Sequence, residues 1–282
     1  MPHNKIRVTA IQRLCVDDGP GVRTVVFLKG CYLACPWCCN PEAIHYNQDL
    51  YYKNGECIDS SIICSSCEKR TGKNKFTECP INVYEKTFQD YSINELYNIL
   101  LKDYNIYKSG GGITFSGGEP IMHAEQILPL LQKLKQKKIS IALETTLYAP
   151  TDKFNLISPL IDYWLIDLKL QFGFIKNKDY SISDSAFEKN LNQLQDMNSL
   201  DRISYRMVFM SEITEKHLFI AEKLKEFNIN VIELLPYHNL GKYKYKKLNK
   251  KFYQYGIPTN ENLLRFVNMM IKHSILCKVQ RF

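Results

Sequence analysis

The segment Cys31-Tyr-Leu-Ala-Cys35-Pro-Trp-Cys38 places three cysteines within eight residues, directly after the apolar run 22–28. Three thiolates on one short loop can bind three irons of a 4Fe–4S cluster, because each iron takes one soft sulfur ligand. The fourth iron then has no protein cysteine and stays open to a substrate or a cofactor. A structural zinc site prefers four ligands in paired C-x2-C knuckles, so zinc fits this spacing poorly. Buried reduced thiols are the other alternative, but they would not require such a regular spacing. The segment therefore indicates iron–sulfur chemistry at an open iron.

The residues on either side of the three cysteines extend this pattern. They read Asp18-Gly-Pro-Gly21-Val-Arg23 before the apolar run, Gly30-Cys31 after it, and Cys38-Cys39-Asn40-Pro41-Glu42 at the end of the loop. This stretch resembles the N-terminal signature of radical SAM activating enzymes of glycyl radical enzymes, the family that includes pyruvate formate-lyase activating enzyme. In that family the open iron chelates the amino and carboxylate groups of S-adenosylmethionine (SAM), so the resemblance implies SAM as a second cofactor.

The same resemblance implies roles for individual residues of the loop. The cluster ligands would be Cys31, Cys35 and Cys38, and the neighbouring cofactor contacts would come from Trp37, Cys38 and Cys39. Asp18 would lie near the point where the glycine of a partner enzyme enters, which makes it the candidate catalytic residue.

The composition indicates one large folded domain, or a domain that carries an insertion. The chain has 282 residues, of which 45% are hydrophobic, 12% aromatic and 23% charged, which is enough for a full core and excludes a disordered chain. Its first residues lack the apolar stretch of a signal peptide, and no apolar run approaches the length of a membrane span. We therefore expect a cytoplasmic protein without a membrane partner.

The cysteines and the net charge narrow the function classes further. Most of the ten cysteines lie before residue 80, which favours metal ligation over disulfides in a reducing cytosol. The net charge is +8, with lysines crowded at 242–251. Because lysines are usually a solvated surface, we expect no nucleic-acid partner, although the charge would also suit docking of an acidic partner or reductant.

Residues 50–85 depart from the pattern of the rest of the chain. They contain Cys57, Cys64, Cys67 and Cys79 among polar residues without sustained periodicity. A C-x2-C pair followed by Cys-Pro resembles the ferredoxin-type insert that several activating enzymes carry, although those inserts commonly hold eight cysteines. We expect a second 4Fe–4S cluster on these four cysteines, with zinc as the alternative, and the metal would stabilise a segment with little core of its own. The predicted domains are residues 1–49 and 86–282 for the radical SAM domain, and 50–85 for the insert.

A regular alternation of strands and helices follows the insert. Ser92 is the predicted N-cap of a helix over 92–107, with Glu95 three positions later. The predicted strands are 113–115, 139–143, 163–168, 203–208 and 230–235, and the predicted helices are 124–137, 151–161, 185–198, 214–227 and 260–273, before a last strand at 275–279. With 22–28 as the first strand, these make six βα units, which right-handed crossovers wind into a curved parallel sheet. The predicted fold class is α/β: a radical SAM partial (β/α)6 barrel, open on one side to a large substrate, with a small ferredoxin-like cysteine-rich insertion.

Polar residues follow the predicted strands at their carboxyl ends, where barrels build their active sites. The glycine pair before Glu119 would let backbone approach a ligand closely, and the Glu119 carboxylate could accept from an ammonium group. Taken singly, each such residue could be an exposed loop charge or an ordinary loop histidine. By resemblance they together form the SAM site, and the cofactor-binding candidates are Gly118, Glu119, Glu144, Thr145, Asp167, Leu168, Lys169, Arg206 and His238.

The resemblance also assigns parts of SAM to some of these residues. Arg206 would contact the ribose or the carboxylate, and His238 would lie near the adenine. Glu144, Thr145 and Asp167 would in addition help to hold a monovalent cation beside SAM.

The predicted function is that of an activating enzyme. A one-electron donor, flavodoxin or ferredoxin, would reduce the cluster, SAM would be cleaved to methionine and a 5′-deoxyadenosyl radical, and this radical would take a Cα hydrogen from a glycine of the partner. Two departures keep alternatives open. The resembled family often has a Pro-Gly loop after its strand-five arginine, and this chain lacks that loop after Arg206. The family usually has a polar residue after its third cluster cysteine, and this chain has Cys39 there. The alternatives are a radical SAM enzyme that acts on a small molecule or peptide, and an iron–sulfur electron carrier without radical chemistry.

Overall fold

A computed structural model describes residues 5–46, 50–52, 84–170, 184–197 and 200–280 of the chain. The strands in these ranges are β1 (Ile6–Cys15), β2 (Arg23–Leu28), β3 (Leu50–Tyr52), β4 (Tyr84–Lys86), β5 (Gln89–Tyr91), β6 (Gly112–Gly117), β7 (Ser140–Thr145), β8 (Tyr163–Asp167), β9 (Ile203–Phe209), β10 (Val231–Pro236) and β11 (Leu276–Val279). The helices are α1 (Ile93–Leu101), α2 (Tyr104–Lys108), α3 (Ala124–Gln136), α4 (Thr151–Ile157), α5 (Asp184–Met197), α6 (His217–Glu226), α7 (Lys242–Lys247) and α8 (Asn260–Lys272). Short 3-10 turns lie at Pro41–Ala43, Pro120–His123, Ser158–Leu160, Leu200–Arg202 and Ser211–Lys216.

One large sheet organises the described part of the chain. Its strand order is β11-β10-β9-β8-β7-β6-β2-β1-β5. The strands from β2 through β6 to β11 pair in parallel, each with its neighbour, and helices follow β6, β7, β8, β9 and β10. This is the α/β partial-barrel architecture expected from the sequence. The carboxyl ends of the parallel strands therefore converge at one edge, where loops can assemble a site.

The predicted position of 22–28 as the first strand is wrong, because β1 precedes it. β1 lies antiparallel beside β2, and β5 lies antiparallel beside β1 at the edge of the sheet, where Arg7 of β1 is paired with Asp90 of β5 at 2.8 Å. β1 is half exposed and carries polar side chains between its apolar ones. A search for continuous apolar runs finds strands that are buried on both faces, and it misses such an antiparallel edge.

The predicted helix over 92–107 begins as expected but is divided into two. The Ser92 hydroxyl accepts from the Glu95 backbone N–H at 3.2 Å, and the Glu95 carboxylate accepts from the Ser92 backbone N–H at 2.7 Å, so the capping box is present. The break falls at Asp103, whose carboxylate accepts from the Thr24 hydroxyl at 2.9 Å and pairs with Arg13 at 3.4 Å. These contacts tie the chain to β1 and β2 at the point where α1 ends.

The core lies between the sheet and the helices on its outer face. Helix α3 buries one apolar stripe, made of Ile127, Leu130, Leu131 and Leu134. Trp164 of β8 is fully buried and its ring lies 5.5 Å from that of Phe154 in α4. Full burial of a Leu, Ile or Phe side chain contributes roughly 1.5–3 kcal/mol, so this layer holds the helices against the sheet.

The ends of the predicted insert lie beside each other. β3 and β4 form a separate two-stranded antiparallel sheet, in which Leu50 pairs with Lys86 and Tyr52 with Tyr84. Cys57, Cys64, Cys67 and Cys79 lie outside the described residues, and the predicted domain limits stay a prediction. Within the described ranges, no helix combines the length and the apolar composition needed to cross a membrane.

Candidate active site

A cavity of about 530 Å³ opens at the carboxyl ends of the parallel strands. This volume suits a cofactor or a small ligand. The predicted site residues that line it are Asp18, Cys31, Cys35, Trp37, Cys38, Cys39, Gly118, Glu144, Thr145, Asp167, Lys169, Arg206 and His238. The cysteine loop after β2 is thus brought together with residues from the ends of β6, β7, β8, β9 and β10.

Backbone hydrogen bonds fix the start of the cysteine loop. The Gly30 N–H donates to the Ala43 carbonyl at 2.7 Å, and the Cys31 N–H donates to the Ile44 carbonyl at 2.9 Å. Inside the loop, the Cys38 N–H donates to the Cys35 carbonyl at 3.0 Å. The loop is therefore a closed turn that faces the cavity.

Lysine side chains from two directions hold the far end of the loop. Lys29 is fully buried, and its ammonium group donates to the Glu42 backbone carbonyl and, at 3.2 Å, to the Thr87 hydroxyl. Lys244 of α7 donates to the Glu42 carboxylate at 2.6 Å and to the Asn40 side chain at 2.7 Å. The sequence analysis did not predict these contacts, although Asn40 and Glu42 belong to the stretch 38–42 on which the family resemblance rests.

The three thiols of the loop fit a 4Fe–4S cluster. Burial raises the pKa of Cys35 to about 11, opposed by the nearby Lys169 ammonium, and burial also raises the pKa values of Cys31 and Cys38. Such thiols stay protonated near neutral pH until a metal displaces their protons. Among the described residues, no three His, Cys, Asp or Glu side chains converge on a point where a single metal ion could sit. That finding is compatible with a cluster, since each cysteine then binds a separate iron.

Gly118 lies where the glycine-rich loop after β6 crosses the cysteine loop. The Glu119 N–H donates to the Gly30 carbonyl at 2.7 Å, and a Cβ on Gly118 would lie 2.0 Å from that carbonyl oxygen. Only glycine permits this crossing. The sequence predicted that backbone at this glycine pair approaches a ligand closely. In the structure, the backbone at Gly118 approaches the cysteine loop closely.

Glu119 is a buried acceptor beside the end of β7. It is fully buried, and its side chain is not among the residues that line the cavity in the described part of the chain. Its carboxylate accepts from the Thr145 hydroxyl at 2.6 Å and from the Thr146 hydroxyl and backbone N–H at 2.8 and 2.9 Å. Burial raises the pKa of Glu119, and these hydrogen bonds oppose the shift. Glu119 therefore fixes Thr145 at the end of β7 and the following Thr146, which both line the cavity, and its contact with an ammonium group stays a prediction.

Asp167 and Lys169 form an ion pair on the floor of the cavity. Burial alone would lower the pKa of Lys169, but Asp167 and Cys35 more than offset this effect, so the pKa is raised and the ammonium stays charged. Oδ2 of Asp167 binds Lys169, whereas Oδ1 is buried and has no hydrogen-bond partner among the described residues. A buried acceptor of this kind favours a ligand that brings a donor.

Arg206 connects three parts of the site. From β9 it donates to the Glu233 carboxylate at 3.0 Å and to the Asp17 backbone carbonyl at 2.6 Å. Its guanidinium also lies 3.8 Å from the Glu144 carboxylate, which in turn accepts from the Ser116 hydroxyl. Burial raises the pKa of Glu144, and Arg206 opposes this shift. The positive charge of Arg206 thereby offsets the carboxylates of Glu233 and Glu144, and its hydrogen bond to Asp17 positions the turn that carries Asp18.

The other predicted residues occupy the rim of the cavity or lie behind it. The Asp18 carbonyl accepts from the Thr114 hydroxyl at 2.6 Å, and partial burial raises the pKa of its carboxyl group. Trp37 is buried edge-on against Tyr255, with ring centroids 6.2 Å apart. Leu168 is fully buried in the core and is not among the described lining residues. Its backbone N–H donates to the Arg206 carbonyl at 2.7 Å, so it supports the site from the sheet.

A second cavity adjoins the first and shares Asp17 and Arg206 with it. It has a volume of about 640 Å³ and is lined by the amino-terminal parts of β8, β9 and β10, by the end of β11 and by the turn that carries Asp17. No residue pattern in the sequence analysis predicted this cavity.

Comparisons with known proteins agree with this geometry. The family described as "4Fe-4S single cluster domain" matches residues 17–153. Pyruvate formate-lyase 2-activating enzyme of Escherichia coli is 33% identical, over 89% of this chain and 84% of its own length. Trans-4-hydroxy-L-proline dehydratase activating enzyme of Clostridioides difficile is 31% identical, over 87% of this chain and 88% of its own.

The fold is also similar to that of a solved radical SAM methyltransferase from Sphaerobacter thermophilus. That likeness has a TM-score of 0.51 at 13% identity and covers 92% of this chain and 66% of the methyltransferase. At such identity it shows the fold alone. The sequence relatives carry the family assignment, and they agree with the three-cysteine loop at the mouth of a partial barrel. The chain therefore belongs to the radical SAM activating enzymes of glycyl radical enzymes.

Proposed function

We propose that the chain binds SAM beside a 4Fe–4S cluster held by Cys31, Cys35 and Cys38, and uses them to install a glycyl radical on a partner enzyme. The observation that carries this proposal is the shared cavity, in which the cysteine loop faces residues from the ends of five strands. When bound, the cluster and SAM supply the one-electron chemistry that yields methionine and a 5′-deoxyadenosyl radical. An electron carrier would need the loop but not the residues opposite it.

The side chains opposite the loop supply complementary groups for SAM. The unpartnered Asp167 Oδ1 would accept from an ammonium or hydroxyl group, and the charged Lys169 would face a carboxylate. Thr145 and Thr146, held by Glu119, would contribute hydroxyl and backbone groups at the end of β7. His238 lines the same cavity, and burial lowers its pKa, so a neutral ring would be available beside the adenine. The monovalent cation expected at Glu144, Thr145 and Asp167 stays a prediction.

The substrate we propose is a polypeptide segment of the partner with its glycine near Asp18. The relatives support a macromolecular substrate over a small molecule, because each is named as the activating enzyme of another enzyme. Arg206 would not transfer protons. It would hold the turn of Asp17 and Asp18 at the junction of the two cavities, where the glycine Cα must meet the radical.

Further parts of the proposal concern the supply of electrons. We propose a second 4Fe–4S cluster on Cys57, Cys64, Cys67 and Cys79, with zinc as the alternative, and flavodoxin or ferredoxin as the reductant. The β3–β4 pairing supports treating this segment as an insert, since Leu50 pairs with Lys86 and Tyr52 with Tyr84 at its two ends. The cytoplasmic location stays a prediction.

One experiment tests the proposal. Anaerobically reconstituted protein would be reduced with dithionite and given SAM, and 5′-deoxyadenosine and iron per chain would be measured beside a Cys35→Ala variant. We expect 5′-deoxyadenosine from the parent only, with about eight irons per chain. About four irons with full cleavage would remove the second cluster but keep the enzyme. A full cluster without cleavage would refute the proposal and favour an electron carrier.

The substrate is tested in the same system with a candidate glycyl radical enzyme. A glycyl radical detected by electron paramagnetic resonance on the partner, and lost when its glycine is replaced by alanine, would support the macromolecular substrate. Cleavage of SAM that is stimulated only by a small molecule would assign the chain another substrate.

A further inference from the structure

The lysine segment, residues 242–251, is a run of charge of one sign. It contains six lysines and no acidic residue, and no Asp or Glu occurs between Glu233 and Glu261. A surface of this kind attracts proteins of opposite charge and accelerates their association. The local charge is therefore suited to an acidic partner.

The side chains of the lysine segment are presented to solvent. Lys242, Lys246 and Lys251 are exposed, as is Tyr243 at 58%. The Lys251 ammonium lies 4.7 Å from the ring of Tyr253, which is 39% exposed. Exposed tyrosines are enriched at protein interfaces because their rings supply contact area, and the lysines around them would orient a partner of opposite charge.

The same segment is bound directly to the cysteine loop. The Tyr245 hydroxyl of α7 donates to the Cys38 carbonyl at 2.8 Å. A Cβ on Gly241, the residue before α7, would lie 3.0 Å from the Cys39 carbonyl oxygen. Lys244 adds its ion pair with Glu42 at 2.6 Å. A protein docked on α7 would therefore be separated from the cysteine loop by little more than one layer of side chains.

The exposed lysines lie outside the cavity in which we place SAM. In the described part of the chain, Lys244 is the one lysine of the segment that lines that cavity. The second cavity is lined by β8 to β11 and by the turn that carries Asp17. A partner on the lysine segment would thus approach the cysteine loop without entering either cavity.

We propose that the lysine segment is the docking surface for an acidic one-electron donor protein, which delivers its electron through the Tyr245–Cys38 side of the cysteine loop. The inference rests on the proposed function, because that function supplies the cluster and its need for an electron. The donor is oxidised by one electron and the cluster is reduced by one. No bond is formed or broken, and no proton is transferred.

The test compares two triple charge-reversal variants of the reconstituted full-length chain. K242E/K246E/K251E reverses three exposed charges of the segment. K189E/K225E/K272E makes the same change in net charge at exposed positions of α5, α6 and α8. Reduced flavodoxin, chosen as a small acidic donor, is mixed anaerobically with each protein. Bleaching of cluster absorbance gives the second-order rate constant of reduction, and flavodoxin affinity is measured separately by calorimetry.

We expect the segment variant to be reduced at least about 10-fold more slowly by flavodoxin than the control variant, and to lose most of the salt dependence of the parent. Reduction by dithionite, which needs no docking, should be the same in all three proteins. Equal rates of reduction by flavodoxin in the two variants would overturn the proposal. Tighter binding of a DNA duplex than of flavodoxin at about 0.15 M salt would assign the segment to nucleic acid and would also overturn it.

The readouts keep this inference apart from the proposed function. The rate of cluster reduction does not require SAM cleavage, whereas dithionite-driven formation of 5′-deoxyadenosine does not require docking. Docking that depends on the segment, in a protein that fails to cleave SAM with dithionite, would refute the function and keep the docking surface.

Discussion

Arg206 donates a hydrogen bond of 2.6 Å to the backbone carbonyl of Asp17, although the two residues are 189 positions apart. The contact joins the middle of β9 to the turn that precedes β2. Because Asp18 follows in that turn, its position in the cavity depends on a side chain from the opposite half of the sheet. Assembly of the site therefore depends on a contact between residues that are far apart in the sequence.

We predict that Arg206→Lys lowers catalytic efficiency without unfolding the protein. Lysine keeps the charge, but it lacks the planar set of donors that reaches Asp17, Glu233 and Glu144 together. The kcat/KM for 5′-deoxyadenosine formation in the presence of partner should fall about 10-fold or more, or about 1.4 kcal/mol. Arg265→Lys, in an exposed pair with Glu215, is the matched control and should behave like the parent. Parental efficiency in Arg206→Lys would show that the turn needs no such support.

Glu119→Gln should weaken both the fold and SAM binding. The substitution turns one acceptor oxygen into an amide donor, which then faces the donor groups of Thr145 or Thr146. A buried hydrogen bond lost in this way costs roughly 1–3 kcal/mol in free energy of unfolding. Urea unfolding and equilibrium dialysis with SAM measure the two effects. Glu125→Gln removes a carboxylate that is 60% exposed, so it should change neither quantity. If Glu119→Gln left SAM affinity intact, the two threonines would have no part in binding.

Gly118→Ala should prevent assembly of the cluster. The new Cβ would lie 2.0 Å from the Gly30 carbonyl oxygen, so the cysteine loop would have to move. Gly110→Ala is the control, because it meets no atom within 4 Å and is strained only by its φ of +94°. We expect Gly110→Ala to cost about 1 kcal/mol and to keep its iron. Iron per chain after reconstitution distinguishes the variants, and a full complement in Gly118→Ala would contradict the close crossing.

His123 should make the protein less stable in mild acid. Burial lowers its pKa below the ordinary value of about 6.5, so the unfolded chain binds the proton more readily than the folded one. The stability contributed by the neutral ring is complete above the unfolded pKa and is lost as the pH falls through it towards the folded pKa. His123→Gln should therefore flatten the fall in unfolding free energy between about pH 7.5 and 5.5. Urea unfolding of the metal-free protein, followed by fluorescence of buried Trp164, measures this, with exposed His45→Gln as the control that keeps the slope.

The parts of the fold that the sequence predicts are those with a local cause. Buried strands such as β2 and β7 are apolar on both faces, and the capping box at Ser92 lies within four residues. β1 escapes the same reasoning because its pairing with β2 and β5 is decided by partners elsewhere in the chain.

The site divides in the same way. The cysteine spacing is a local pattern, and so its loop could be predicted. Contacts such as Lys244 with Glu42, 202 positions apart, depend on how α7 returns across the sheet. Glu119 illustrates the limit, since the sequence does not show that its carboxylate accepts from Thr146, a contact that depends on how β6 and β7 lie side by side.

The pairing of Tyr52 with Tyr84 also bears on how the length of this chain could be altered. The chain leaves and returns at adjacent points, so whatever lies between them can be lengthened, shortened or exchanged without altering the register of the large sheet. In protein engineering, the β3–β4 pair would be the place at which the corresponding segment of a relative could be substituted.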